Sequence, residues 1–191
     1  MYRDEGPPDI SKELSKIPVV KIIEDMDCFS PRRTITLKYT GPDIRKIVNS
    51  VRGIIMKGMR ITGQHTFLDE YYVDVTDPNK KIFHVFWHGD RDFDMRTEMY
   101  GYIRLKQGLI YPDGSGSVEI EFTPKVITEW DRGSILKRNP IYKLLLKIYG
   151  YTFYDNRRRR YIEECKGYAE DMIRRMRDLL KLMESAKYEK A

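Results

Sequence analysis

The sequence has few amide side chains and no long apolar run. It contains two Gln and four Asn among 191 residues, whereas Asp, Glu, Lys and Arg make up 34% of the chain. A charge-rich, amide-poor composition is typical of proteins that work at high temperature, so we expect a thermophilic source. No stretch of eighteen apolar residues and no basic start followed by an apolar segment occurs. We therefore expect a cytoplasmic protein that neither spans a membrane nor is exported.

Cysteine is scarce, and the motifs of common cofactor chemistry are missing. Cys28 and Cys165 are the two cysteines, and they belong to no metal-binding spacing, so we expect two buried free thiols. The chain has no phosphate-binding P-loop, no dinucleotide glycine pattern, no His-Glu-x-x-His and no nucleophile elbow. The sequence accordingly predicts no cofactor and no metal.

Positive charge is concentrated in the last third of the chain. The formal net charge is +6, and residues 132–191 hold 16 Lys and Arg against 8 Asp and Glu. Arg157, Arg158, Arg159 and Arg160 form an uninterrupted run there, at the start of a predicted helix. Acidic side chains are favoured at that end of a helix, so the run predicts an anion-binding surface for membrane lipid or nucleic acid. A solvated, salt-bridged helix face is the alternative.

Two long amphipathic helices are predicted. Pro42 suits a first helical turn, and apolar residues recur on one side from there to Lys57. The second helix begins after Asp155 and runs over about 156–185. Its apolar stripe recurs at alternating steps of three and four residues and consists of Ile162, Cys165, Ala169, Met172, Met176, Leu179 and Met183.

The middle of the chain has the period-two alternation of β-strands. Before it come a short strand at 17–23 and a strand at 34–39, and a short helix is predicted at 139–149, ahead of the terminal helix. Strands segregated from helices are typical of the α+β class. The predicted strands of the middle region are 60–67, 71–75, 81–88 (covered on both faces), 98–106, 118–122 and 126–130.

This order of elements resembles the START-like, or Bet v 1-like, helix-grip superfamily, the group of polyketide cyclases and lipid-transfer proteins. The strand Thr34–Tyr39, the helix Pro42–Lys57, the meander Arg60–Trp130 and the helix Asn156–Ser185 carry the resemblance. It implies a curved antiparallel sheet wrapped around a long C-terminal helix, with a cavity between them for an apolar or amphipathic, lipid-like molecule. On this basis residues 1–32 are an N-terminal extension and residues 33–191 a single helix-grip domain.

Candidate ligand-binding residues come from the central strands and the terminal helix. Methionine fills irregular space, so a helix lined with methionines suits an adaptable pocket wall. Ordinary packing in the hydrophobic core is the alternative role of these residues. Two histidines four apart on a strand share a face but lie about 13 Å apart, too far to hold one metal ion. The predicted ligand-binding set is His84, Phe86, His88, Met99, Ile103, Trp130, Met172 and Met176.

A third hypothesis is an enzyme that acts inside the cavity. Glu129 lies close to the end of the last predicted strand, where apolar surroundings would raise the pKa of a carboxyl group and suit it to acid–base chemistry. A surface salt bridge is the alternative role, and the sequence identifies no catalytic residue.

Overall fold

The computed structural model describes residues 21–131, 148 and 154–189, with the side chains of 24–129, 148 and 154–185. Within these ranges the structure has six strands, two long helices and one short 3₁₀ turn, besides the helical residue Ile148. In chain order these are β1 Lys21–Asp27, β2 Ile35–Gly41, α1 Ile44–Met59, the 3₁₀ turn Gly63–His65, β3 Thr66–Asp74, β4 Lys81–Asp92, β5 Thr97–Ile110, β6 Gly116–Asp131 and α2 Asp155–Glu189.

All six strands join one antiparallel sheet. Its order is β1-β6-β5-β4-β3, and β2 pairs with β6 beside β1. The sixteen-residue strand β6 therefore has two partners on one edge: its first half pairs with β2 (Ile35 opposite Phe122) and its second half with β1 (Asp27 opposite Lys125). The two strands predicted on either side of Pro124 are wrong, because β6 passes through this proline unbroken.

Pro124 fits within β6 because it lies where the partner strand changes. Its carbonyl accepts a hydrogen bond from the backbone N–H of Cys28 at 3.2 Å, just beyond the end of β1. The ring nitrogen faces the same edge, at the junction of β1 and β2, so the N–H that proline lacks removes no regular ladder bond.

The hairpin of β5 and β6 pairs basic with acidic side chains on its outer face. Arg104 lies opposite Glu121 and Lys106 opposite Glu119 in the register. The Lys106 ammonium lies 2.7 Å from a carboxylate oxygen of Glu121, so the outer faces of the two strands attract each other across the hairpin.

Helix α1 buries its predicted apolar stripe against the sheet. Ile44, Ile47, Val51 and Ile55 are each fully buried. The helix ends at Arg60, whose φ of 55° is left-handed and whose N–H bonds the carbonyl of Met56. The strand predicted at 60–67 is wrong for this reason: the chain leaves the helix through a left-handed residue and a 3₁₀ turn, and β3 begins only at Thr66.

Helix α2 lies across the sheet and packs on α1, which confirms the α+β, helix-grip class. At about 1.5 Å per residue, its 35 residues extend about 52 Å. Five of the seven residues of the predicted stripe are buried, namely Cys165, Ala169, Met172, Met176 and Met183, whereas Ile162 and Leu179 are half-buried.

The N-terminal end of α2 is held by a partly buried polar cluster. Asp94, in the turn between β4 and β5, accepts hydrogen bonds from the Tyr161 hydroxyl at 3.0 Å and from the backbone N–H groups of Arg96 and Thr97 at 2.8 and 2.9 Å. The Tyr161 ring stacks on Phe93 with ring centres 4.8 Å apart. These contacts join the first turns of the helix to the end of the sheet.

Cys28 and Cys165 form a disulfide, so the prediction of two free thiols is wrong. Their Cα atoms lie 5.9 Å apart across 137 residues of sequence, and both side chains are buried. The bond joins the end of β1 to α2. Nothing in the spacing of the two cysteines indicated this contact, which arises only when the helix lies on the sheet.

Some sequence predictions fall partly or wholly outside the described residues. The start of the strand predicted at 17–23 does so, whereas Lys21–Asp27 forms β1, so part of the predicted extension 1–32 belongs to the sheet. Of the helix predicted at 139–149, only Ile148 is described, and it is helical. No helix within the described ranges is both long enough and apolar enough to cross a membrane.

Candidate functional site

The structure divides the predicted ligand-binding residues between two faces of the sheet. Met99 and Ile103 of β5 belong to the same buried core cluster as Met172 and Met176 of α2, and all four are at most 1% exposed. A Cβ atom on Gly101 would lie 2.5 Å from the sulfur of Met59 and 3.1 Å from Cε of Met172. At this level the sheet and the helices are in direct contact, and the side chains fill the space between them.

His84, Phe86 and His88 lie on the opposite face of the sheet. They alternate along β4 with Val85, which is fully buried on the helix side. The prediction that β4 is covered on both faces is therefore wrong, because its outer face is half-exposed. Trp130 pairs with Ile22 through its backbone, and its side chain lies outside the described residues.

Each histidine of the chain lies beside a carboxylate on the outer side of the β3–β4 hairpin. His88 Nδ1 is 2.7 Å from Asp69 Oδ2, and His65 Nδ1 is 2.9 Å from Asp90 Oδ2. His84 Nε2 lies 3.6 Å from Glu70. The hydrogen bond to Asp90 raises the pKa of His65. Within the described ranges, no three His, Cys, Asp or Glu side chains are grouped as a metal site would need.

Stacked rings cover the same outer face. The ring of Phe67 stacks on His88 with centres 4.9 Å apart, and Phe86 stacks on Tyr102 at 5.7 Å. The guanidinium of Arg104 lies 4.5 Å above the Phe86 ring, a cation–π contact. Each of these rings therefore has another ring or a guanidinium group as its neighbour on the outer face.

An open groove lies between α2 and the start of β2. Its volume is about 520 Å³. Phe29 and Ile35, both half-buried, and the buried Ile173 supply its apolar floor. Its polar rim comes from α2 and consists of Glu170, Arg174, Arg177, Asp178 and Lys181. The groove combines an apolar floor with a charged edge, as a site for an amphipathic molecule requires.

The basic side chains of the rim differ in how far they are already paired. Arg174 pairs with Asp171, which also holds Arg175 at 2.8 Å. Burial of Asp171 opposes ionisation, but these two guanidinium groups outweigh it and lower its pKa. Arg177 and Lys181 have no ion-pair partner in the described part of the chain. They are one helical turn apart, so their cationic ends share one side of the groove.

The disulfide lies beside this groove. Cys28 directly precedes Phe29 of the floor, and Cys165 lies about two helical turns before Ile173 on α2. The bond therefore ties α2 to the loop that carries Phe29. It limits how far the helix and this loop can separate on that side of the groove.

Most of the predicted arginine cluster is paired within the chain. Arg158 bonds Glu24 of β1 and also lies 3.3 Å from Asp155. Arg159 lies 3.0 Å from the same Asp155, and Arg160 lies 3.8 Å from Glu164. Arg157 alone of the four has no ion pair with a described residue. Asp155 and Glu24 supply the negative charge that the start of the helix favours, so the run needs no external anion for its compensation.

Sequence reasoning missed the groove because its walls are distant in the chain. Ile173 lies next to the predicted stripe at Met172 and Met176, and Arg177 and Lys181 have a four-residue spacing, which puts them on one helical face. Phe29 and Ile35 carry no such signal, since nothing in the local sequence pattern around them relates them to α2. Glu129, the candidate acid–base group, is exposed on β6 and does not line the groove.

Comparisons with known proteins identify no family. No family model matches the chain, and no curated protein gives a significant match. Among solved structures, an uncharacterised protein from Rhizobium leguminosarum matches at 12% identity, covering 81% of this chain and 99% of that one, with a TM-score of 0.20. This likeness is too weak to carry an argument about fold or function.

Proposed function

We propose that the chain binds an amphipathic small molecule in the groove between α2 and the start of β2. The observation that carries the proposal is the combination of an apolar floor, made by Phe29, Ile35 and Ile173, with two basic groups on the rim that have no ion pair among the described residues. Ligand sites usually enclose about 300–1,000 Å³ and are mostly apolar with a few placed polar groups, and this groove of about 520 Å³ lies within that range.

The charges on the rim favour an acidic head group. Arg177 and Lys181 are available to a carboxylate or phosphate, whereas Arg174 is engaged by Asp171. Glu170 and Asp178 also line the groove and oppose this preference, so the rim has a single surplus positive charge only when Arg174 is counted with Arg177 and Lys181. A lipid-like molecule with one anionic group would place its chain on the floor and its head beside Arg177 and Lys181.

This proposal retains the predicted class of ligand and its place between the sheet and the C-terminal helix, but it changes the residues that hold it. Met99, Ile103, Met172 and Met176 then support the groove from the core, and His84, Phe86 and His88 take no part. Membership of the START-like superfamily is part of the same proposal, supported by the helix-grip arrangement. Binding of an anionic surface by Arg157–Arg160 stays a prediction, and the pairing of three of these arginines argues against it.

We further propose that the protein works inside the cell of a thermophilic organism. Disulfides are rare in the cytosol of mesophiles but common in intracellular proteins of hyperthermophiles. The Cys28–Cys165 bond and the charge-rich, amide-poor composition both fit that setting. A secreted protein would have the disulfide as well, so detection of the native protein in cytosolic or extracellular fractions decides between the two.

Isothermal titration calorimetry with three single-chain probes tests the binding proposal. Dodecanoate, dodecanol and dodecyltrimethylammonium, each below its micelle concentration, share a chain and differ in head-group charge. We expect all three to bind and dodecanoate to bind most tightly. The double variant Arg177→Glu/Lys181→Glu should weaken the binding of dodecanoate by about tenfold or more, since a charged hydrogen bond contributes about 1.5–3 kcal/mol. It should leave the binding of dodecanol nearly unchanged.

Arg157→Glu is the control, because it reverses a charge on the same helix at an exposed residue that does not line the groove and has no ion pair with a described residue. It should leave all three affinities unchanged. Absence of saturable binding for every probe would refute the proposal. Equal loss of dodecanoate binding in Arg157→Glu would show that the net charge of the helix, and not the groove, holds the ligand.

A further inference from the structure

A second cleft lies at the end of the sheet, beyond the other end of β2 from the groove. The end of β5 and the start of β4 meet there, with Lys81 opposite Ile110 in the register. The start of α1 reaches the same place, since the Ile44 N–H bonds the carbonyl of Gly114 in the β5–β6 turn at 3.3 Å. These segments enclose a cleft of about 660 Å³.

Four basic side chains converge on this cleft from two directions. Arg45 and Lys46 come from the first turn of α1, and Lys80 and Lys81 from the opposite side, at the start of β4. Within the described residues, Arg45, Lys46 and Lys81 have no ion pair, and Lys80 lies 3.8 Å from Asp77. Grouped cations without counter-charges repel one another and create a local positive potential that favours an anion.

The acidic side chains of the cleft do not cancel this charge. Asp113 accepts hydrogen bonds from the Ser115 N–H at 3.0 Å and the Ser115 hydroxyl at 2.7 Å, so its carboxylate is engaged within its own turn. These bonds lower the pKa of Asp113. Asp43 is the other acidic residue of the lining and is exposed. The lining thus has four cations against two carboxylates, a surplus of two positive charges, and Lys80 is also paired with Asp77 outside the lining.

Flat and apolar surface lies next to the cations. Tyr111 is 44% exposed, although it is a large aromatic residue at the end of β5, and Pro78, Ile110 and Pro112 line the cleft around it. An exposed aromatic ring beside basic groups suits a ligand that has both a planar ring and phosphate, because the ring stacks while the cations bind the phosphate oxygens.

We propose that this cleft binds a nucleoside phosphate, with the phosphates held by Arg45, Lys46 and Lys81 and the base on Tyr111. The site is separate from the groove and shares no lining residue with it. The proposal is therefore independent of the proposed function, and each can fail alone.

Calorimetric titration with ADP, adenosine and inorganic pyrophosphate tests this site. We expect ADP to bind most tightly, pyrophosphate more weakly and adenosine very weakly, with the ADP affinity falling as salt rises. Lys46→Glu/Lys81→Glu should reduce ADP affinity by about 10- to 100-fold, the equivalent of losing one charged hydrogen bond. Tyr111→Ala should make the ADP and pyrophosphate affinities equal.

Lys57→Glu is the matched control for the double variant, since it reverses a charge on α1 at an exposed residue that does not line the cleft. It should leave ADP binding unchanged. Circular dichroism of each variant confirms that it is folded. The proposal is overturned if ADP does not bind saturably, if binding survives in Lys46→Glu/Lys81→Glu, or if pyrophosphate binds as tightly as ADP in the unmodified chain.

Discussion

Removing the disulfide should cost a large part of the stability of this chain. The bond closes a loop of 137 residues between Cys28 and Cys165. In the chain-entropy model, a loop of this length restricts the unfolded chain by about 5 kcal/mol at 25 °C, and measured losses for native disulfides are about 2–5 kcal/mol. The whole free energy of unfolding of a domain is about 5–15 kcal/mol, so reduction should remove a substantial share of it.

Guanidinium denaturation with and without a thiol reductant measures this loss. With a denaturant slope of about 4 kcal/mol/M, a loss of about 2–5 kcal/mol lowers the midpoint by about 0.5–1.2 M. The Cys28→Ala/Cys165→Ala variant is the matched control. It should unfold near the midpoint of the reduced protein and should not respond to the reductant.

A thiol count completes the experiment. The denatured, unreduced chain should expose no reactive thiol, and the reduced chain should expose two. Two reactive thiols without reductant, or a midpoint that the reductant leaves unchanged, would refute the reasoning. It would then follow that packing and the polar contacts hold α2 on the sheet without a contribution from the disulfide.

Three further changes test other parts of the structure. Met172→Ala should lower the free energy of unfolding by about 2–5 kcal/mol in urea denaturation, because it opens a cavity between the sheet and α1. Asp94→Ala should lower it by about 2–4 kcal/mol, since it leaves Tyr161 and two backbone N–H groups without their acceptor; a loss no larger than that of Tyr161→Phe would contradict this. Ser115→Ala should raise the pKa of Asp113 toward its ordinary value in an NMR titration. Because the folded-state pKa of Asp113 is lowered, its contribution to stability is present above the unfolded pKa and is lost as the pH falls below it, and Ser115→Ala should reduce that acid-side loss.

The regular elements could be predicted wherever one face is buried. The stripe from Ile44 to Ile55 and the stripe from Cys165 to Met183 repeat with helical period, and both are buried as expected. The alternation in β5 and the first half of β6 likewise predicted strands that the structure contains. In each case the local pattern records which side faces the core.

The predictions are wrong where a contact between residues distant in sequence, or the backbone conformation of a single residue, determines the structure. Arg60 adopts a left-handed conformation, which residue type alone does not indicate, and the predicted strand at 60–67 fails there. Pro124 indicated a break, but the change of partner strand at its edge allows β6 to continue. Phe86 and the two histidines near it belong to an almost continuous apolar and aromatic segment, which predicted a strand covered on both faces. They lie on the outer face of β4, where ring stacking and pairing with carboxylates stabilise them.

The candidate groove could be predicted only in part. Its basic rim is visible as the spacing of Arg177 and Lys181 on one helix. The floor depends on contact between α2 and the loop that carries Phe29, and this contact joins segments that no local pattern relates. The disulfide joins the same two segments. The wrong prediction for the cysteines and the missed groove therefore have one cause, a contact between segments that are distant in sequence.

The central claim is that the groove beside α2 holds an amphipathic ligand, and NMR mapping of the bound site tests it most directly. Methyl-labelled protein should be titrated with dodecanoate while the isoleucine signals are followed. We expect saturable shifts at Ile35 and Ile173, which line the groove, and small shifts at Ile103, which is buried between the sheet and the helices. Shifts centred on Ile103, or no saturable shift at Ile35 and Ile173, would contradict the account.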